Sequence, residues 1–462
     1  MMSPLIELRA LLGQTGVLSA QEASERAAGI WRTDTIQAAC IARPRTTQQV
    51  SQVLEFCHAH NLKVVTHGGL TGLVHGADST KSDVVLSLEL MREIEEINAV
   101  QRTVVVQAGV PLQNLQDAAD AEDLFFPLDL GGRGTATLGG NAATNAGGNR
   151  VIRYGMMRDM ILGIEAVLAD GTIVSSMNHL IKNNSGYDLK QLFIGSEGTL
   201  GVITRLVLRL REKPLSRTTA FVGVENFNSV VELLKHMDGG LGGSLSAFEV
   251  MWRDFYELVA KGSKRGGGPI GTHHQFYALV ENQGANPKLD TENFQALLES
   301  ALEMGLIEDA AIARSERESL EFWSLRDDVE RTFQWGEPII FDVSLPVDKM
   351  ESYTTALQEN LETLMRGTKV WIFGHLGDGN LHLCIQTPDG EAVTHRKIIE
   401  RCVYEPLQPI GGSVSAEHGI GLEKKPYLHL CRSEAEIRLM RTLKATLDPK
   451  GLLNPGKIFN HL

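Results

Sequence analysis

Two histidines on either side of an Asp-Gly pair near the C-terminus could build a metal site. Asp378-Gly379 lies between His375 and His382. Asp-Gly is a strong β-hairpin signal because both central residues of the favoured two-residue turn adopt a positive φ. With this pair at the turn, His375 faces His382, and facing Cβ atoms lie about 4.5–5.5 Å apart. The sequence therefore predicts two imidazoles close enough to share one divalent cation.

The doublet Glu417-His418 follows later in the chain and could supply two further functions. Adjacent side chains on an extended segment point to opposite faces. Glu417 could thus complete the metal site while His418 points into a substrate cavity as a base. An ordinary surface pair of histidines and an exposed Glu-His loop are the simpler alternatives. A hydrolase is another, because two histidines and a glutamate also suit a zinc-bound water.

Glycine-dense segments indicate a second kind of site. They span residues 67–72, 131–148 and 195–201. A run as dense as 131–148 is costly in a regular helix or strand, so we expect irregular loops there. Backbone amides in such loops can approach a phosphate closely. Three segments of this kind, rich in Thr, Ser and Asn, predict a cofactor that carries a pyrophosphate.

The predicted cofactor is not expected to be held as in a Rossmann fold. The nearest candidate for the dinucleotide fingerprint is Gly132-Arg-Gly134-Thr-Ala-Thr137, which has threonine in place of the last glycine. The G-x-G-x-x-G pattern between a strand and a helix is therefore absent.

Length and composition limit the class of protein. The chain has 462 residues, 43% hydrophobic and 22% charged, which suits two or three globular domains. The formal net charge of −13 argues against nucleic acid or an acidic membrane surface as the main partner. No apolar run approaches the roughly 20 residues of a membrane span. A homodimer is the base-rate expectation.

The cysteines and the N-terminus lead to an expected location. The five cysteines are widely spaced without a CxxC pair, as is typical of reduced thiols. The first residues lack a basic segment followed by an apolar one, so no secretory signal is predicted. We therefore expect a cytoplasmic protein.

Periodicity divides the chain into four segments. Residues 1–35 are predicted to be a helical lead-in, and residues 36–212 an α+β domain of short elements. From residue 213 to 420, strands alternate with longer helices, and the final segment is 421–462. The predicted helices include a capped one after Thr46 and those at Leu112–Ala121, Glu292–Glu303, Glu316–Arg331, Met350–Leu364 and Ser433–Leu447.

Several ordered motifs resemble a known flavoprotein family. Those of the first domain are similar to the FAD domain of the vanillyl-alcohol-oxidase type. The two-histidine segment, Glu417-His418-Gly419 and Leu453–Lys457 resemble its FAD-linked D-2-hydroxy acid dehydrogenases. The first-domain motifs are Pro127-Leu-Asp-Leu, Thr137–Gly148, Arg153-Tyr-Gly155, Asn184–Leu189 and Phe193–Gly201.

The resemblance implies an α+β fold with a two-subdomain FAD-binding domain and an α+β substrate (cap) domain with an antiparallel sheet. FAD is expected between them, and residues 421–462 are expected to return to the FAD domain. The residues implied to contact FAD are His67, Gly68, Gly69, Leu70, Thr71, Gly72, Leu73, Pro127, Thr137, Gly139, Gly140, Asn141, Thr144, Asn145, Gly147, Gly148, Tyr154, Glu197, Gly198, Gly201, Ile203 and Asn454.

The resemblance also assigns roles around the substrate. His375, His382 and Glu417 match the ligands of a divalent metal such as zinc or manganese, and His418 matches the base. Arg326 matches an arginine that binds the substrate carboxylate through a bidentate fork. Its alternative role is that of a helix-surface arginine paired with Asp327 or Glu330.

The expected activity is oxidation of a D-2-hydroxy acid, such as D-2-hydroxyglutarate or D-lactate, to the 2-oxo acid with hydride transfer to flavin N5. Where further polar residues would hold a second carboxylate, this chain has Glu330 (or Val329), Ile340 and Cys384. A distal carboxylate would be poorly paired there. A monocarboxylate has equal standing, although the segment 68–74 is closer to the 2-hydroxyglutarate branch.

The sequence does not identify the electron acceptor, and several kinds of flavoprotein remain as alternatives. Electron-transfer flavoprotein, a quinone and a cytochrome all suit a dehydrogenase. An oxidase that uses O₂ is one alternative. A flavin-carrying electron-transfer subunit without its own substrate is another.

Overall fold

The computed structural model describes residues 4–263 and 266–460, so the first three residues of the predicted lead-in and residues 461–462 lie outside the described part. The chain forms two compact units. Unit 1 comprises residues 1–148, 155–213 and 417–462, and unit 2 comprises residues 149–154 and 214–416. The predicted segment 36–212 thus contributes residues 149–154 to unit 2.

The strands are β1 Val17–Ser19, β2 Cys40–Ala42, β3 Val64–His67, β4 Val84–Ser87, β5 Ile94–Asn98, β6 Thr103–Gln107, β7 Leu124–Phe125, β8 Ile161–Val167, β9 Ile173–Ser176, β10 Val202–Arg209, β11 Arg211–Glu212, β12 Ser216–Val224, β13 Leu245–Trp252, β14 Phe276–Gly284, β15 Asp309–Ile312, β16 Ile339–Ser344, β17 Lys369–His375 and β18 Asn380–Gln386.

The helices are α1 Pro4–Leu12, α2 Ala20–Ser24, α3 Thr47–His60, α4 Leu112–Asp120, α5 Leu138–Thr144, α6 Val151–Tyr154, α7 Met157–Met160, α8 Lys190–Phe193, α9 Phe227–Leu241, α10 Arg253–Lys261, α11 Pro287–Glu303, α12 Glu316–Asp327, α13 Met350–Leu364, α14 Arg396–Tyr404 and α15 Glu434–Leu447.

Unit 1 contains two larger sheets. In the first, of strand order β1-β2-β4-β3, strands β2, β4 and β3 are parallel and β1 is antiparallel to β2. Every residue of β4 is buried, as is typical of a parallel strand covered on both faces. The second sheet, of order β5-β6-β10-β8-β9, is antiparallel. The lead-in is therefore not purely helical, because it also supplies β1.

The C-terminal segment is bonded into unit 1. The Val64 N–H donates to the Leu452 carbonyl at 2.8 Å, and the Asn454 N–H donates to the Val64 carbonyl at 2.8 Å. The buried Lys444 ammonium donates to the carbonyls of Thr199 and Leu453 at 2.7 and 2.8 Å and to the Asp448 carboxylate at 2.5 Å. These bonds fix residues 452–454 beside β3.

Unit 2 is built on an antiparallel sheet of seven strands over its described residues, in the order β15-β12-β14-β13-β17-β18-β16. Helices α10 and α12 lie on one face. The Phe255 ring of α10 stacks on Phe373 of β17 at 4.3 Å between centroids. The Ser319 hydroxyl of α12 lies 2.7 Å from that of Thr219 on β12. This helix-covered face also carries the two histidines.

The predicted register of the two-histidine hairpin is wrong. Phe373, rather than His375, is the register partner of His382. A 3₁₀ turn over Leu376–Asp378 connects the strands, and only Gly379, with φ 82°, adopts the positive φ expected of both turn residues. The shift is two residues, so both histidines keep the same face of the sheet.

The expectation that residues 131–148 would be irregular throughout is also wrong. Helix α5 runs through Gly139 and Gly140, and the Thr137 side chain caps its N-terminus by accepting the Gly140 N–H. A Cβ at Gly139 would lie 2.5 Å from that of Ala108. Close packing against Ala108 therefore requires glycine inside this short helix.

None of the helices in the described part of the chain is long and apolar enough to cross a membrane.

Candidate functional site

Two of the glycine-dense segments pack against each other in unit 1. A Cβ on Gly69 would lie 2.0 Å from the Thr135 carbonyl oxygen, and one on Gly68 would lie 2.6 Å from the Thr137 hydroxyl. No side chain fits at either position. The loop after β3 and the segment before α5 therefore form one continuous backbone surface, which suits a phosphate-bearing group.

Buried polar atoms beside these loops lack protein partners. Among the described residues, Nδ2 of Asn141 and Oγ1 of Thr66 are buried without a hydrogen bond. A buried, unpaired polar atom costs roughly 1–3 kcal/mol. A polar cofactor at this surface would supply the missing partners, so the residues present fit FAD.

Asn454 connects this surface to the third glycine-dense segment. Its Oδ1 accepts the Thr66 N–H at 2.9 Å, and its Nδ2 donates to the Glu197 carbonyl at 2.6 Å. A Cβ on Gly198 would lie 2.8 Å from that Nδ2. Both Asn454 and Glu197 have a positive φ, at 42° and 51°. The tail, β3 and the 195–201 loop are thus held in one arrangement.

The Glu197 carboxylate has a structural task in this arrangement. Its two oxygens accept the N–H groups of Ile420 and Gly421 at 2.7 and 2.8 Å. Burial raises the pKa of Glu197 despite these two donors. Glu197 therefore anchors the residues that follow His418 to the 195–201 loop.

The other residues implied to contact FAD lie in unit 1 with one exception. Tyr154 belongs to α6 in unit 2, where its hydroxyl donates to Gln283 Oε1 at 2.9 Å. Ile203 is buried on β10, and Pro127 is buried after β7.

In unit 2, four polar side chains form a row across neighbouring strands. Glu249 of β13 is the register partner of His375 on β17, and Asp342 of β16 is the partner of His382 on β18. The two imidazole Nε2 atoms lie 3.3 Å apart. The row is buried, with relative exposures of 0% for both carboxylates, 4% for His375 and 7% for His382.

Glu249 holds two of the predicted site residues at once. Its Oε1 accepts the His375 Nδ1–H at 2.7 Å, and its Oε2 accepts the Arg326 Nε–H at 2.7 Å. Burial alone would raise the Glu249 pKa, but His375 and Arg326 hold it below its ordinary value. The Nδ1 bond leaves His375 Nε2 as the nitrogen that faces His382.

Arg326 is not the surface arginine of the alternative interpretation. It is 7% exposed on α12, and its guanidinium carbon lies 5.2 Å from the centre of the Phe373 ring. With Nε bonded to Glu249, the two terminal amino groups form the fork. Nη1 lies 3.3 Å from Asp327, and Nη2 lies 3.2 Å from His375 Nε2.

The predicted metal ligands and base belong to different units, because the chain passes from unit 2 to unit 1 after residue 416. In unit 2, the Ala416 N–H donates to Asp342 Oδ2 at 3.1 Å. In unit 1, the Glu417 Oε1 accepts the Gly148 N–H at 2.8 Å. Glu417 follows Ala416 directly, and consecutive Cα atoms are about 3.8 Å apart. His418 is half-buried.

Sequence reasoning missed Glu249 and Asp342. Each is the single charged residue in a largely apolar strand whose residues are mostly buried. A buried carboxylate needs a partner, and that was the available signal. The partners could not be read from the sequence because they come from strands distant in the chain.

Comparison with protein families assigns both halves of the chain. Residues 38–176 match the FAD binding domain family, and residues 213–458 match the family of FAD linked oxidases, C-terminal domain. The prediction of FAD is thereby confirmed.

Named relatives cover most of this chain. A mitochondrial D-2-hydroxyglutarate dehydrogenase of Danio rerio is 40% identical over 90% of this chain and 78% of its own length. The D-2-hydroxyglutarate dehydrogenase of Stutzerimonas stutzeri is 36% identical over 91% of this chain and 90% of its own. A Schizosaccharomyces pombe protein provisionally named as a mitochondrial D-lactate dehydrogenase is 40% identical over 90% of this chain and 80% of its own length.

Solved structures confirm the fold class. p-Cresol methylhydroxylase superposes with a TM-score of 0.80 over 99% of this chain and 96% of its own, at 15% identity. The 4-ethylphenol oxidase of Gulosibacter chungangensis superposes with a TM-score of 0.77 over 99% of this chain and 97% of its own, at 17% identity. The fold is that of the vanillyl-alcohol-oxidase type of FAD enzyme.

The expected cytoplasmic location is wrong by the same comparison, because the Danio rerio and Bos taurus relatives are named as mitochondrial. That expectation was based on the pattern of reduced cysteines and on the lack of a secretory signal. Neither separates the cytoplasm from another reducing compartment.

A first prediction concerns His67, whose Nε2–H donates to the Ala77 carbonyl at 2.8 Å in unit 1. Burial lowers its pKa from 6.5 to about 4. Between these values only the unfolded state binds the proton, so stability is lost as the pH falls from 6.5 to 4. We expect this residue to remove about 3 kcal/mol from the free energy of unfolding over that range.

Urea denaturation at a series of pH values checks this prediction. His67→Gln keeps a donor for Ala77 and should flatten the acid limb, whereas His60→Gln, at an exposed histidine of α3, should leave it unchanged. Equal slopes for the His67 variant and the parent would contradict the assignment.

Proposed function

Because the chain belongs to the FAD-linked oxidases, we propose that it oxidises a D-2-hydroxy acid to the 2-oxo acid as an FAD- and divalent-metal-dependent dehydrogenase. The observation that carries the proposal is the buried row of Glu249, His375, His382 and Asp342, beside the fork of Arg326. The named relatives, dehydrogenases of D-2-hydroxyglutarate and D-lactate, support the same reaction class.

The residues present fit a divalent metal. The two Nε2 atoms at 3.3 Å are placed to face one ion, and a carboxylate orients the first imidazole through Nδ1, as is common for metal-bound histidine. We propose Glu417 as the third ligand, because it directly follows Ala416, whose N–H is bonded to Asp342. Two histidines and a carboxylate suit zinc or manganese.

The proposed chemistry divides among this chain's residues. Arg326 binds the substrate carboxylate with its terminal amino groups and so orients the C2–H bond. His418 accepts the proton of the C2 hydroxyl, a general-base contribution of roughly 10²–10⁴-fold. A bound metal would supply Lewis-acid polarisation of the hydroxyl, and bound FAD would supply the acceptor for the C2 hydride. The proton on His418 and the hydride on the flavin account for both hydrogens lost by the alcohol.

We propose that electron-transfer flavoprotein or a quinone then reoxidises the flavin. An oxidase would reduce O₂ at a rate comparable with turnover, and a flavin-carrying subunit without its own substrate would show no reduction by any acid. Anaerobic mixing with D-2-hydroxy acids followed by admission of air separates all three.

A second prediction tests the base. His418→Ala should retain FAD, yet flavin reduction by the substrate should slow roughly 10²-fold or more because no group accepts the hydroxyl proton. Stopped-flow absorbance of the flavin measures the rate. The matched control is His429→Ala, at an exposed histidine of the same unit, which should reduce normally. Normal reduction in the His418 variant would refute the assigned role.

A third prediction tests the metal. Dialysis against a chelator should abolish flavin reduction without releasing FAD, and added Zn²⁺ or Mn²⁺ should restore it. Metal content is followed by atomic emission and flavin content by absorbance. Full activity in protein shown to be metal-free would exclude the ligand assignment.

A fourth prediction concerns Glu249, which we infer to be a positioning residue. Glu249→Gln replaces one acceptor oxygen by an amide donor, so one of its two bonds to His375 and Arg326 must be lost. Metal affinity is expected to fall about 10–100-fold, and the substrate KM to rise.

Competition with a metal indicator measures the dissociation constant, and Glu359→Gln, on the exposed side of α13, is the control. A lower melting temperature with unchanged metal affinity would indicate a purely structural role for Glu249.

A further inference from the structure

A second row of side chains lies next to the polar row on the same face of the unit 2 sheet. On β18, Cys384 is two residues beyond His382, and it pairs with Trp371 on β17 and Ile340 on β16. On β13, Met251 pairs with Phe373, the partner of His382, so it lies beside this row and not in it. Residues two apart on a strand share a face and lie about 6.6–6.8 Å apart. The neighbour of the polar row is therefore entirely apolar or weakly polar.

The members of this apolar row belong to one hydrophobic cluster. Trp371 and Cys384 are buried in it, and Ile340 packs against it while remaining partly exposed. The Cys384 side chain is a fully buried thiol. No member of the row offers a charge to a ligand.

Cationic side chains near the row already have partners. Arg331 donates to the Asp328 carboxylate at 2.8 Å and to the Gly262 carbonyl at 2.6 Å. The Lys369 ammonium lies 3.6 Å from the centre of the Trp335 ring. A second substrate carboxylate in this region would have to compete for these groups.

Substrate dimensions bring its side chain to this row. In an extended C5 dicarboxylic 2-hydroxy acid, C2 and the distal carboxyl carbon are separated by three bonds of about 1.5 Å, or about 4 Å. With the C1 carboxylate on Arg326 and C2 at the histidine pair, atoms beyond C3 extend more than half of the distance to the neighbouring row of the sheet. They meet either Asn380, at the turn end, or the apolar row.

Asn380 does not provide that site. Its amide nitrogen donates to Asp342 Oδ1 at 2.9 Å and to the Val343 carbonyl at 3.0 Å, and the neighbouring Asp342 carboxylate would repel an anion. In the apolar row, the partly exposed Ile340 offers the favourable surface for the substrate side chain, and the buried Cys384 is its partner on β18.

We propose that this chain prefers a D-2-hydroxy acid with an uncharged, apolar side chain over the corresponding dicarboxylate, with Ile340 and Cys384 as specificity-determining residues. The inference rests on the proposed function and narrows its substrate class. It separates this chain from the relatives named for D-2-hydroxyglutarate, because a buried carboxylate without a cationic partner is strongly disfavoured.

The test compares two acids of nearly equal shape on the FAD- and metal-loaded protein. D-2-hydroxy-5-methylhexanoate has two methyl groups where D-2-hydroxyglutarate has its distal carboxylate oxygens. Anaerobic flavin reduction gives kcat/KM for each, and we expect the methyl compound to be favoured roughly 10-fold or more.

The possible outcomes separate the two levels of the proposal. Faster reduction by D-2-hydroxyglutarate would overturn the specificity while supporting the dehydrogenase. Reduction by neither acid, nor by D-lactate, would overturn the proposed function itself.

Variants at the end of the row extend the test. Ile340→Lys introduces a cation and should shift the kcat/KM ratio toward D-2-hydroxyglutarate roughly 10-fold or more. Ile340→Val, the matched apolar control, should preserve the parent ratio. If the lysine variant does not fold, Cys384→Asn supplies a neutral donor in the same row and should shift the ratio in the same direction. An unchanged ratio in a folded, flavin-loaded variant of either kind would refute the assignment of that residue.

Discussion

The unit 2 site depends on the two hydrogen bonds that the Glu249 carboxylate accepts. One fully buried carboxylate accepts the Nδ1–H of His375 and the Nε–H of Arg326, each at 2.7 Å. Removing one partner from a buried ion pair typically costs 3–5 kcal/mol, because the remaining charge is left uncompensated. Both groups are therefore held by the same carboxylate, and Arg326 Nη2 lies 3.2 Å from His375 Nε2.

The sheet makes this arrangement possible through its two-residue period. The predicted turn at Asp378-Gly379 placed His375 opposite His382, whereas the structure pairs His382 with Phe373. A shift of one residue would have sent one imidazole to the opposite face, but a shift of two leaves both on the same face. The sequence was therefore sufficient for the proximity of the histidines, although not for the turn that connects them.

Local signals predicted the elements better than the contacts between them. Helix α13 has the predicted bounds, and α12 stops at Asp327 rather than Arg331 because Asp328, with ψ 50°, leaves the helical conformation. Glu249 and His375 are 126 residues apart. No periodicity or spacing relates residues so distant, and only the strand order brings them together. The close packing of Gly139 against Ala108 was likewise not evident from the sequence. Helix α5 is therefore a feature that the sequence analysis did not predict, because it expected loops there.

The two rows on one face also explain why family membership leaves the substrate open. Under the proposed function, the polar row handles the groups common to every 2-hydroxy acid, the carboxylate and the hydroxyl. As proposed above, the next row meets only the part that differs between acids, and none of its residues bonds to Glu249. A chain can therefore keep the reaction of its relatives and alter its preference through Ile340 and Cys384. Identity summed over four hundred residues cannot register a change confined to so few.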